Sequence, residues 1–557
     1  MESPTSIADL EVKDPALALS HRRKMEILFA VLLGLFLSAL DQTIVGTALP
    51  TIVGDLHGSQ ELYTWVVTVY LLTATITGVF YGKLSDLYGR RLMLLLGVSI
   101  FLVGSALSGL SWSMESLILF RGIQGIGAGA IFPISLAVIA DLFTPKERGK
   151  YQGLFGAVFG LSSIIGPLLG GFLTDNVSWH WIFYVNLPIG AVTLYIIYRY
   201  LPTVRVQGSR RNLDYLGAAV FAVAVTLLLI GLTNKQHQDW TDFWVGGLIG
   251  LSLIATALFL YIESKAAEPI IPLSLFRNRG YAVTILATFL AGIGFFGTII
   301  FLPLWFQYVK GVSPTESGLQ VLALLSGVII SSIASGVIVS RTGRYRNLSI
   351  GSLAVMSVGI LLLTRLNADT ELPFLWLWMF ITGLGIGPTL SVFTIVVQSV
   401  VPFEKLGVAT GSLTFFRQVG GSVGLAVSGT ILGQGTASSL GGQLAANQVP
   451  PPAQGDLFSL IGRVGSDLFQ VDRDQTLHQK LVEGLTAASQ PFVDGIERSL
   501  HQAFSMGLAQ SFWFGLGATL VALVVVVLAL PEVPLRGFAT GRGRPTDGDV
   551  PPQMAGH

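Results

Sequence analysis

The sequence predicts an all-α integral membrane protein in which two six-helix bundles repeat in the same direction, with a two-helix hairpin inserted between them. Three observations support this prediction. The 557 residues are 52% hydrophobic and only 12% charged, with a mean hydropathy of +0.68, which is far too apolar for a soluble domain. About fourteen apolar runs have the roughly 20 residues that a helix needs to cross a bilayer. Finally, the second half of the chain repeats the glycine pattern of the first.

The internal repeat is clearest in a polar stretch between two apolar runs. Gly82-Lys-Leu-Ser-Asp-Leu-Tyr-Gly-Arg-Arg91 returns in the second half as Gly336-Val-Ile-Val-Ser-Arg-Thr-Gly-Arg344. We interpret residues 82–91 as a tight loop, in which the two glycines permit a sharp turn and Asp86 can lie against a helix N-terminus. Later glycines correspond at one constant spacing: Gly125 with Gly383, Gly149 with Gly407, Gly153 with Gly411, and Gly171 with Gly429. Parallel repeats of this kind are typical of secondary transporters.

The basic residues predict the membrane orientation. His21-Arg-Arg-Lys24 precedes the first apolar run, 25–49, which is too long for the core of a signal peptide and is interpreted as a retained span. With both termini inside, most of the 33 Lys and Arg residues fall in cytoplasmic loops. We therefore expect a multi-pass protein of a prokaryotic plasma (inner) membrane with these segments: a cytoplasmic tail 1–24, a first bundle 25–201, a linker with the hairpin 202–280, a second bundle 281–531, and a cytoplasmic tail 532–557.

Composition also excludes several classes of function. The net charge is +1 and no face carries a basic excess outside the loops, so no nucleic-acid partner is expected. The absence of cysteine excludes disulfides, thiolate nucleophiles and Cys-ligated metals. We predict neither a cofactor nor a metal site.

Residues 434–502, within the second bundle, form an external segment much longer than an ordinary connection. It opens with Gly, Ala and Gln and with Pro450-Pro-Pro452, for which we predict a flexible or extended chain. After Asp472 its apolar residues recur with helical spacing. The segment either caps the outer rim or serves as a docking or substrate-handling element for an extracytoplasmic partner, and the sequence favours neither interpretation.

Three ionisable residues lie deep within apolar runs: Asp41, Arg121 and Arg417. Each is a functional candidate because an unpaired charge is costly at membrane depth. Asp41 and Arg121 have similar depths, about 13 and 9 Å from the outer face. An aspartate that alternates between an ionised, paired state and a protonated, unpaired state can carry a proton. We predict that Asp41 is this carrier and that Arg121 or Arg417 is its cation; the alternative is a static ion pair that only fixes helix packing.

Arg417 is the harder residue to interpret, because it lies near the midplane, about 18 Å from the inner end of its span. It could alternate with Arg121 as the partner of Asp41, bond carbonyl groups through its neighbour Gln418, or meet a polar group of a substrate. The spans otherwise supply Phe, Trp and Leu with few polar anchors, which suits lipophilic or amphiphilic cargo.

Several motifs resemble those of the major facilitator superfamily, and in particular its fourteen-helix drug:proton antiporters of the multidrug efflux type. Leu40-Asp-Gln-Thr-Ile-Val-Gly-Thr-Ala-Leu-Pro50 resembles the signature of span 1, and residues 82–91 resemble the loop between spans 2 and 3. The resemblance extends to spans 4, 5 and 6 through Arg121-Gly-Ile-Gln-Gly125, Gly166-Pro-Leu-Leu-Gly-Gly171 and Trp179-His-Trp-Ile-Phe-Tyr-Val-Asn-Leu-Pro-Ile-Gly190.

This resemblance implies alternating access between two rocking bundles. Asp86 would close the inner side by meeting the N-terminus of span 13 near residues 404–407, and Asp41 would carry the proton with Arg121 beside it. The cytoplasmic gate would comprise Gly82, Asp86, Gly89, Arg90 and Arg91, and the antiporter motif of span 5 Gly166, Pro167, Gly170 and Gly171. The chain departs from the family at Gly46, where Asn is usual, at Ser340, which replaces the acid of the second loop, and in spans 5 and 10, which lack a second deep carboxylate.

The sequence therefore predicts a proton-coupled exporter of lipophilic compounds that acts as a monomer. One alternative keeps the fold and changes the cargo to lipids or lipid-like metabolites of the membrane. The other is an intramembrane enzyme, which would require a catalytic set at depth. The sequence offers no His pair, no Cys and no second buried acid for such a set.

Overall fold

The computed structural model describes residues 19–56, 60–202, 214–235, 238–266, 268–464 and 477–532. The predicted tails lie largely outside these ranges. Within them the chain is helical and contains no β-strand. The α-helices are α1 His21–Asp55, α2 Gln60–Tyr88, α3 Arg90–Ser108, α4 Met114–Leu142, α5 Pro145–Asn176, α6 Trp181–Tyr184, α7 Asn186–Tyr200, α8 Tyr215–Asn234, α9 Leu248–Lys265, α10 Arg279–Lys310, α11 Pro314–Gln320, α12 Leu322–Thr342, α13 Arg346–Leu363, α14 Leu372–Val400, α15 Leu406–Ala446, α16 Pro451–Val464, α17 Leu477–Gly484 and α18 Val493–Ala529.

Among the described residues, thirteen helical segments are long and apolar enough to cross a membrane. Helices α6 and α7 together make one of them, Trp181–Tyr200. The 41-residue helix α15 is not among the thirteen, because its many Gly, Ser, Thr and Gln residues dilute its apolar character. With α15 counted, the helices correspond to the fourteen spans that the sequence predicts.

The two bundles repeat one packing pattern. In the first, α1 packs on α5, α2 on α4, and α3 on α4 and α7; in the second, α10 packs on α15, α12 on α14, and α13 on α14 and α18. Each bundle buries its own apolar core, with Phe101 and Ile131 in the first and Trp305 and Met356 in the second. The predicted fold class, two parallel six-helix repeats of an all-α membrane protein, is thereby confirmed.

The inserted hairpin consists of α8 and α9, which pack on each other, and α8 also contacts α2 and α15. The Phe221 ring lies 5.8 Å from that of Phe80 on α2 and 5.2 Å from that of Phe415 on α15. The hairpin therefore packs across the boundary between the bundles, where α2 of the first contacts α15 of the second.

Two seams join the bundles, and both depend on glycine. In the first seam, a Cβ atom added at Gly82 on α2 would lie 2.6 Å from the carbonyl oxygen of Gly407 on α15. In the second seam, a Cβ atom at Gly149 on α5 would collide with the carbonyl group of Gly336 on α12, and the reverse also holds. Backbones this close exclude any side chain. Both seams lie at the end of the molecule that carries Asp86, which we call the Asp86 end.

Two predictions of local structure are wrong. Residues 82–91 are not a loop: α2 continues to Tyr88 and α3 begins at Arg90, so Gly89 alone makes the turn, with a positive φ of 94°. That φ lies in a region that only glycine adopts readily. The run Pro450-Pro-Pro452 is not an extended chain either, because α16 begins at Pro451. Proline suits a first helical turn, where its missing N–H group would have no partner.

The external segment is helical where the structure describes it. Helix α15 continues to Ala446 and α18 begins at Val493, so both reach well beyond the bundle. Their ends enclose α16 and α17 around an apolar cluster that includes Leu444, Leu481 and Leu500. The helical pattern predicted after Asp472 corresponds to α17 and α18 from Leu477 onward, and residues 465–476 lie outside the described residues.

Candidate functional site

Asp41 and Arg121 form an ion pair in the interior of the first bundle. Asp41 lies in the middle of α1 and Arg121 near the start of α4, and Arg121 Nη1 donates to Asp41 Oδ2 at 2.6 Å. The two residues are 0% and 1% exposed, respectively. The structure thus brings together two of the three ionisable residues that the sequence singled out.

The second carboxylate oxygen of Asp41 is also occupied. Gln124 Nε2 donates to Asp41 Oδ1 at 2.8 Å, and Asn186 Nδ2 donates to the same oxygen at 3.0 Å. Asn186 Nδ2 also lies 3.0 Å from Ser105 Oγ, which accepts from it. Sequence reasoning missed Gln124 and Asn186 as partners, although both stand inside motifs that the resemblance had already identified.

The guanidinium of Arg121 is held by aromatic rings and by its own helix. Its Cζ atom lies 4.2 Å from the ring centroid of Tyr70 and 5.9 Å from that of Phe183. Nη1 also donates to Gln124 Oε1 at 2.7 Å, whereas Nε has no hydrogen-bond partner among the residues that the structure describes. These contacts fix the guanidinium beside Asp41 by cation–π attraction and a charge-assisted hydrogen bond.

This arrangement suits an ionised carboxylate. All three donors to Asp41 are N–H groups from α4 and α7, and an ionised carboxylate is an acceptor at every lone pair. Protonation would turn one oxygen into a donor that faces other donors, and it would weaken the bond to Arg121. The hydrogen bonds of the Asp41 carboxylate thus join α1 to α4 and α7.

Arg417 does not take part in this pair. It lies on α15 in the second bundle, is 9% exposed, and its Nη2 has no hydrogen-bond partner within the described ranges. Among the described residues it forms no ion pair within 4 Å, so its predicted role as the cation of Asp41 is not seen in this conformation. Arg121 fills that place.

Asp86 lies at the N-terminus of α15. Its Oδ1 and Oδ2 accept from the backbone N–H groups of Gly407 and Val408, both at 3.0 Å. These are first-turn amides that have no partner inside the helix, and the helix dipole favours a negative charge there. The contact joins α2 of the first bundle to α15 of the second across the Gly82 seam.

Arg90 fixes the orientation of Asp86. Its Nη1 hydrogen-bonds to Asp86 Oδ1 and donates to Ser85 Oγ at 2.6 Å, while its Nε donates to Asp141 Oδ2 at 3.1 Å. Arg91 points the other way and donates to the Tyr198 carbonyl oxygen at 2.5 Å. The gate residues predicted from the sequence therefore separate into Asp86 and Arg90 at the seam and Arg91 against α7.

The span-5 motif lies along the contact between α1 and α5. A Cβ atom at Gly166 would lie 2.7 Å from Thr43 Cβ, and Thr43 Oγ1 donates to the Ser162 carbonyl oxygen at 3.0 Å. Gly170, one turn later, is buried, whereas Pro167 and Gly171 are partly exposed. Gly166 thus lets α1, the helix that carries Asp41, approach α5 closely.

A pair of glutamines crosses between the bundles and was also missed. Gln152 Nε2 on α5 donates to Gln398 Oε1 on α14 at 2.6 Å. Gln398 Nε2 in turn donates to the Leu136 carbonyl oxygen at 3.2 Å and to Thr410 Oγ1 at 3.4 Å. The available signal was the presence of amide side chains inside apolar spans, because buried polar groups require partners.

One cluster among the described residues has metal-ligand chemistry. His478 Nδ1 lies 2.8 Å from Glu497 Oε2 and 3.8 Å from Asp494 Oδ1 in the external segment. The side chains of His478 and Asp494 are 47% and 78% exposed. A histidine–carboxylate contact on the surface accounts for this geometry without a metal ion.

Comparison with known proteins assigns this architecture to a family. The sequence profile of the Major Facilitator Superfamily matches residues 31–425. The multidrug transporter protein MdtP of Bacillus subtilis is 41% identical over 430 residues, which cover 77% of this chain and 79% of that protein. Multidrug resistance protein 3 of Bacillus subtilis is 38% identical over 406 residues, covering 73% and 79%.

Among solved structures, the proton:xylose symporter XylE superposes with a TM-score of 0.57 at 13% identity, covering 92% of this chain and 97% of that one. A likeness at this identity supports the fold alone. The profile match and the relatives near 40% identity go further, because they extend over most of both chains. The protein is a transporter rather than an enzyme, and the chain belongs to the Major Facilitator Superfamily.

Proposed function

We propose that this protein exports lipophilic or amphiphilic compounds in exchange for protons by alternating access. The observation that carries the proposal is the buried ion pair of Asp41 and Arg121. Its carboxylate lies at membrane depth and accepts hydrogen bonds from an arginine and two side-chain amides. An ionisable group in such a place is a functional candidate.

The proposed cycle uses the Asp86 end as the cytoplasmic gate. In the present conformation that end is held shut by Asp86 at the start of α15 and by Gln152 against Gln398. We propose that Asp41, when protonated, loosens its hold on Arg121, which favours rocking of the bundles and release of the gate. Release of the proton to the cytoplasm restores the ion pair and leaves the protein ready to bind cargo.

The proposed cargo follows from two lines of support. The two Bacillus subtilis relatives, at 41% and 38% identity, are named as a multidrug transporter and a multidrug resistance protein. The described spans present mainly aromatic and aliphatic side chains, with few charges beyond Asp41, Arg121 and Arg417 well inside them. A site of that kind binds apolar molecules and orients them with few polar contacts.

The test is transport by the full chain in proteoliposomes with the pH set separately on each side. A lipophilic dye should move against its gradient when a proton gradient is imposed, and a proton ionophore should stop it. Equal dye flux with and without the gradient would refute proton coupling. Matched liposomes with the Asp41→Asn variant show whether the coupling depends on this carboxylate.

Export of lipids or lipid-like metabolites is the second candidate. It is favoured by the external segment, because α15 and α18 extend past the bundle and enclose α16 and α17 around an apolar cluster. Transfer of a labelled lipid from the same proteoliposomes to acceptor vesicles, measured beside dye transport, separates the two. Lipid transfer without dye transport would replace the first candidate by the second.

The proposed orientation places both termini in the cytoplasm of a plasma-membrane monomer. Because the chain has no cysteine, single cysteines can report on each side. A cysteine within 203–213 should react with a membrane-impermeant maleimide only from the cytoplasm, and one at Gln479 only from outside. The opposite pattern would invert the proposed topology.

A further inference from the structure

Arg417 is a buried cation that has no counter-charge among the described residues. It lies about 17 Å along α15 from the first residue of that helix, is 9% exposed, and its Nη2 has no hydrogen-bond partner in the part of the chain that the structure describes. A guanidinium is always charged and has five donors. Leaving it unpaired at membrane depth is costly, so a group outside its present surroundings is needed to compensate for the charge.

The described membrane-spanning helices of the second bundle offer no acid at the depth of Arg417. None of α10, α12, α13, α14 and α15 has an aspartate or glutamate in its sequence. The acids of α18, Asp494 and Glu497, lie near its first residue, at the level where Asn447 Nδ2 donates to Ser499 Oγ at 3.0 Å. Asn447 is about 30 residues, or about 45 Å, beyond Arg417 along α15. Those acids cannot reach it.

No described acid of the first bundle forms an ion pair with Arg417 in this conformation. Asp41 is occupied by Arg121, Gln124 and Asn186. Asp86 is occupied at the Asp86 end by α15 amides and Arg90.

Arg417 lies where α15 packs against α10, since a Cβ atom added at Gly292 would lie 2.6 Å from the Arg417 carbonyl oxygen, and α15 also contacts α2 and α4 of the first bundle. Thr410, Leu413 and Arg417 stand three and four residues apart, so they share one face. Thr410 meets Gln398 of α14, and Leu413 packs in a cluster with Ala140 of α4. Arg417 is one turn farther from the Asp86 end than Leu413, and therefore beyond the contact of Gln398 with Gln152 of the first bundle.

We infer that Arg417 binds an anionic oxygen group, such as a carboxylate, of an amphiphilic cargo held between the bundles. The inference rests on the proposed function, because it narrows the proposed class of cargo from lipophilic compounds in general to amphiphiles with an acidic head group. The planar fork of an arginine matches a carboxylate through two parallel hydrogen bonds, which a lysine cannot reproduce. The apolar helix faces around it receive the tail.

Binding to the purified full-length protein tests the inference at one fixed pH. The probes are three fluorescent amphiphiles with the same alkyl chain that end in a carboxylate, a primary amide or a trimethylammonium group. Wild type should prefer the carboxylate over the amide by at least about tenfold. Arg417→Gln should abolish that preference while leaving affinity for the amide within about twofold, and Arg417→Lys should retain part of it. The control Gln418→Ala, at the adjacent position, should behave as wild type.

Thermal unfolding distinguishes a binding residue from a structural one. Arg417→Met removes an uncompensated charge, so the ligand-free variant should melt no lower than wild type, and the carboxylate probe should raise the melting temperature of wild type alone. If Arg417→Met melts lower and every variant keeps the carboxylate preference, Arg417 is structural and the inference is wrong.

Transport by the same variants identifies a third role. If Arg417→Gln and Arg417→Lys lose proton-driven transport of all three probes equally and keep the carboxylate preference, Arg417 belongs with Asp41 in proton coupling, and the inference fails while the proposed function stands. Conversely, a carboxylate preference that depends on Arg417 would hold even if transport proved independent of the proton gradient.

Discussion

The two seams that join the bundles come from the same duplicated sequence, yet only one is closed by a charge. Gly82 meets Gly407 in the first, and Gly336 meets Gly149 in the second. In the first seam Asp86 accepts from the first-turn amides of α15. In the second, the equivalent position is Ser340, whose Oγ donates to the Val337 carbonyl oxygen of its own helix.

The difference reflects where the partner helices begin as well as which residue faces them. Gly407 is the second residue of α15, so its N–H is free to bond Asp86. Gly149 is the fifth residue of α5, which begins at Pro145, so its N–H belongs to the helical ladder. Duplication therefore preserved the close backbone packing in both seams, whereas the electrostatic contact depends on a helix start that only one seam has.

Filling a seam glycine should have the largest effect. Gly82→Val would place a side chain against the Gly407 backbone, and overpacking of about 1–3 kcal/mol would shift the gate equilibrium about 5- to 150-fold toward the open state. A single cysteine at Ala140, which is buried between the bundles, should then react faster with a maleimide. Gly351→Val is the control, because a Cβ atom there meets nothing within 4 Å. Equal labelling of Gly82→Val and wild type would contradict the seam.

Removing the charge from the first seam should have the next largest effect. Asp86→Asn keeps the size of the side chain but loses the charge at the start of α15, at a cost of about 1–2 kcal/mol to the closed state. Labelling of the Ala140 cysteine should rise by less than in Gly82→Val. Arg90 keeps Asp141 as a partner, so folding should be preserved. Unchanged labelling would show that Asp86 does not close the gate.

Removing the amide contact beside the second seam should have a smaller effect. Gln398→Leu loses the hydrogen bond to Gln152, worth about 1 kcal/mol. Labelling of the Ala140 cysteine should rise a few-fold, and the double variant with Asp86→Asn should add to this because the two contacts are separate. If Gln398→Leu alone raised the labelling rate more than Asp86→Asn alone, the ranking of the two seams would be reversed.

Adding an acid to the second seam should have the smallest effect and gives the sharpest test of the comparison. Ser340→Asp restores the residue type of Asp86, but α5 offers no free first-turn amide opposite it. We expect Ala140 labelling within about twofold of wild type. If Ser340→Asp slowed labelling by the same factor by which Asp86→Asn speeds it, an acid at this position would be enough to close the second seam.

The sequence predicted more of the charged contacts than of the neutral ones. Asp41 and Arg121 could be proposed as partners because each is a lone ionisable residue in a long apolar run. Gln124, Asn186, Gln152 and Gln398 carry no charge, so hydropathy gave little reason to single them out, although burial obliges them to find partners.

Helix boundaries were the other limit of sequence reasoning. The stretch 82–91 is polar and contains two glycines, a pattern that predicts a loop, but Gly82 is used for close packing within a helix and Gly89 alone turns the chain. The run Pro450-Pro-Pro452 is equally ambiguous, because proline is compatible with both an extended chain and a helix start. Only the tertiary contacts of these residues decide between the two.

The most direct test of the account is proton release on cargo binding. The purified protein is mixed with a lipophilic cargo in weakly buffered detergent solution that contains a pH indicator, beginning at a pH at which cargo and proton compete. Wild type should release about one proton per cargo bound, and Asp41→Asn should bind the cargo and release none. Equal proton release from wild type and Asp41→Asn would contradict the claim that this carboxylate couples transport to protons.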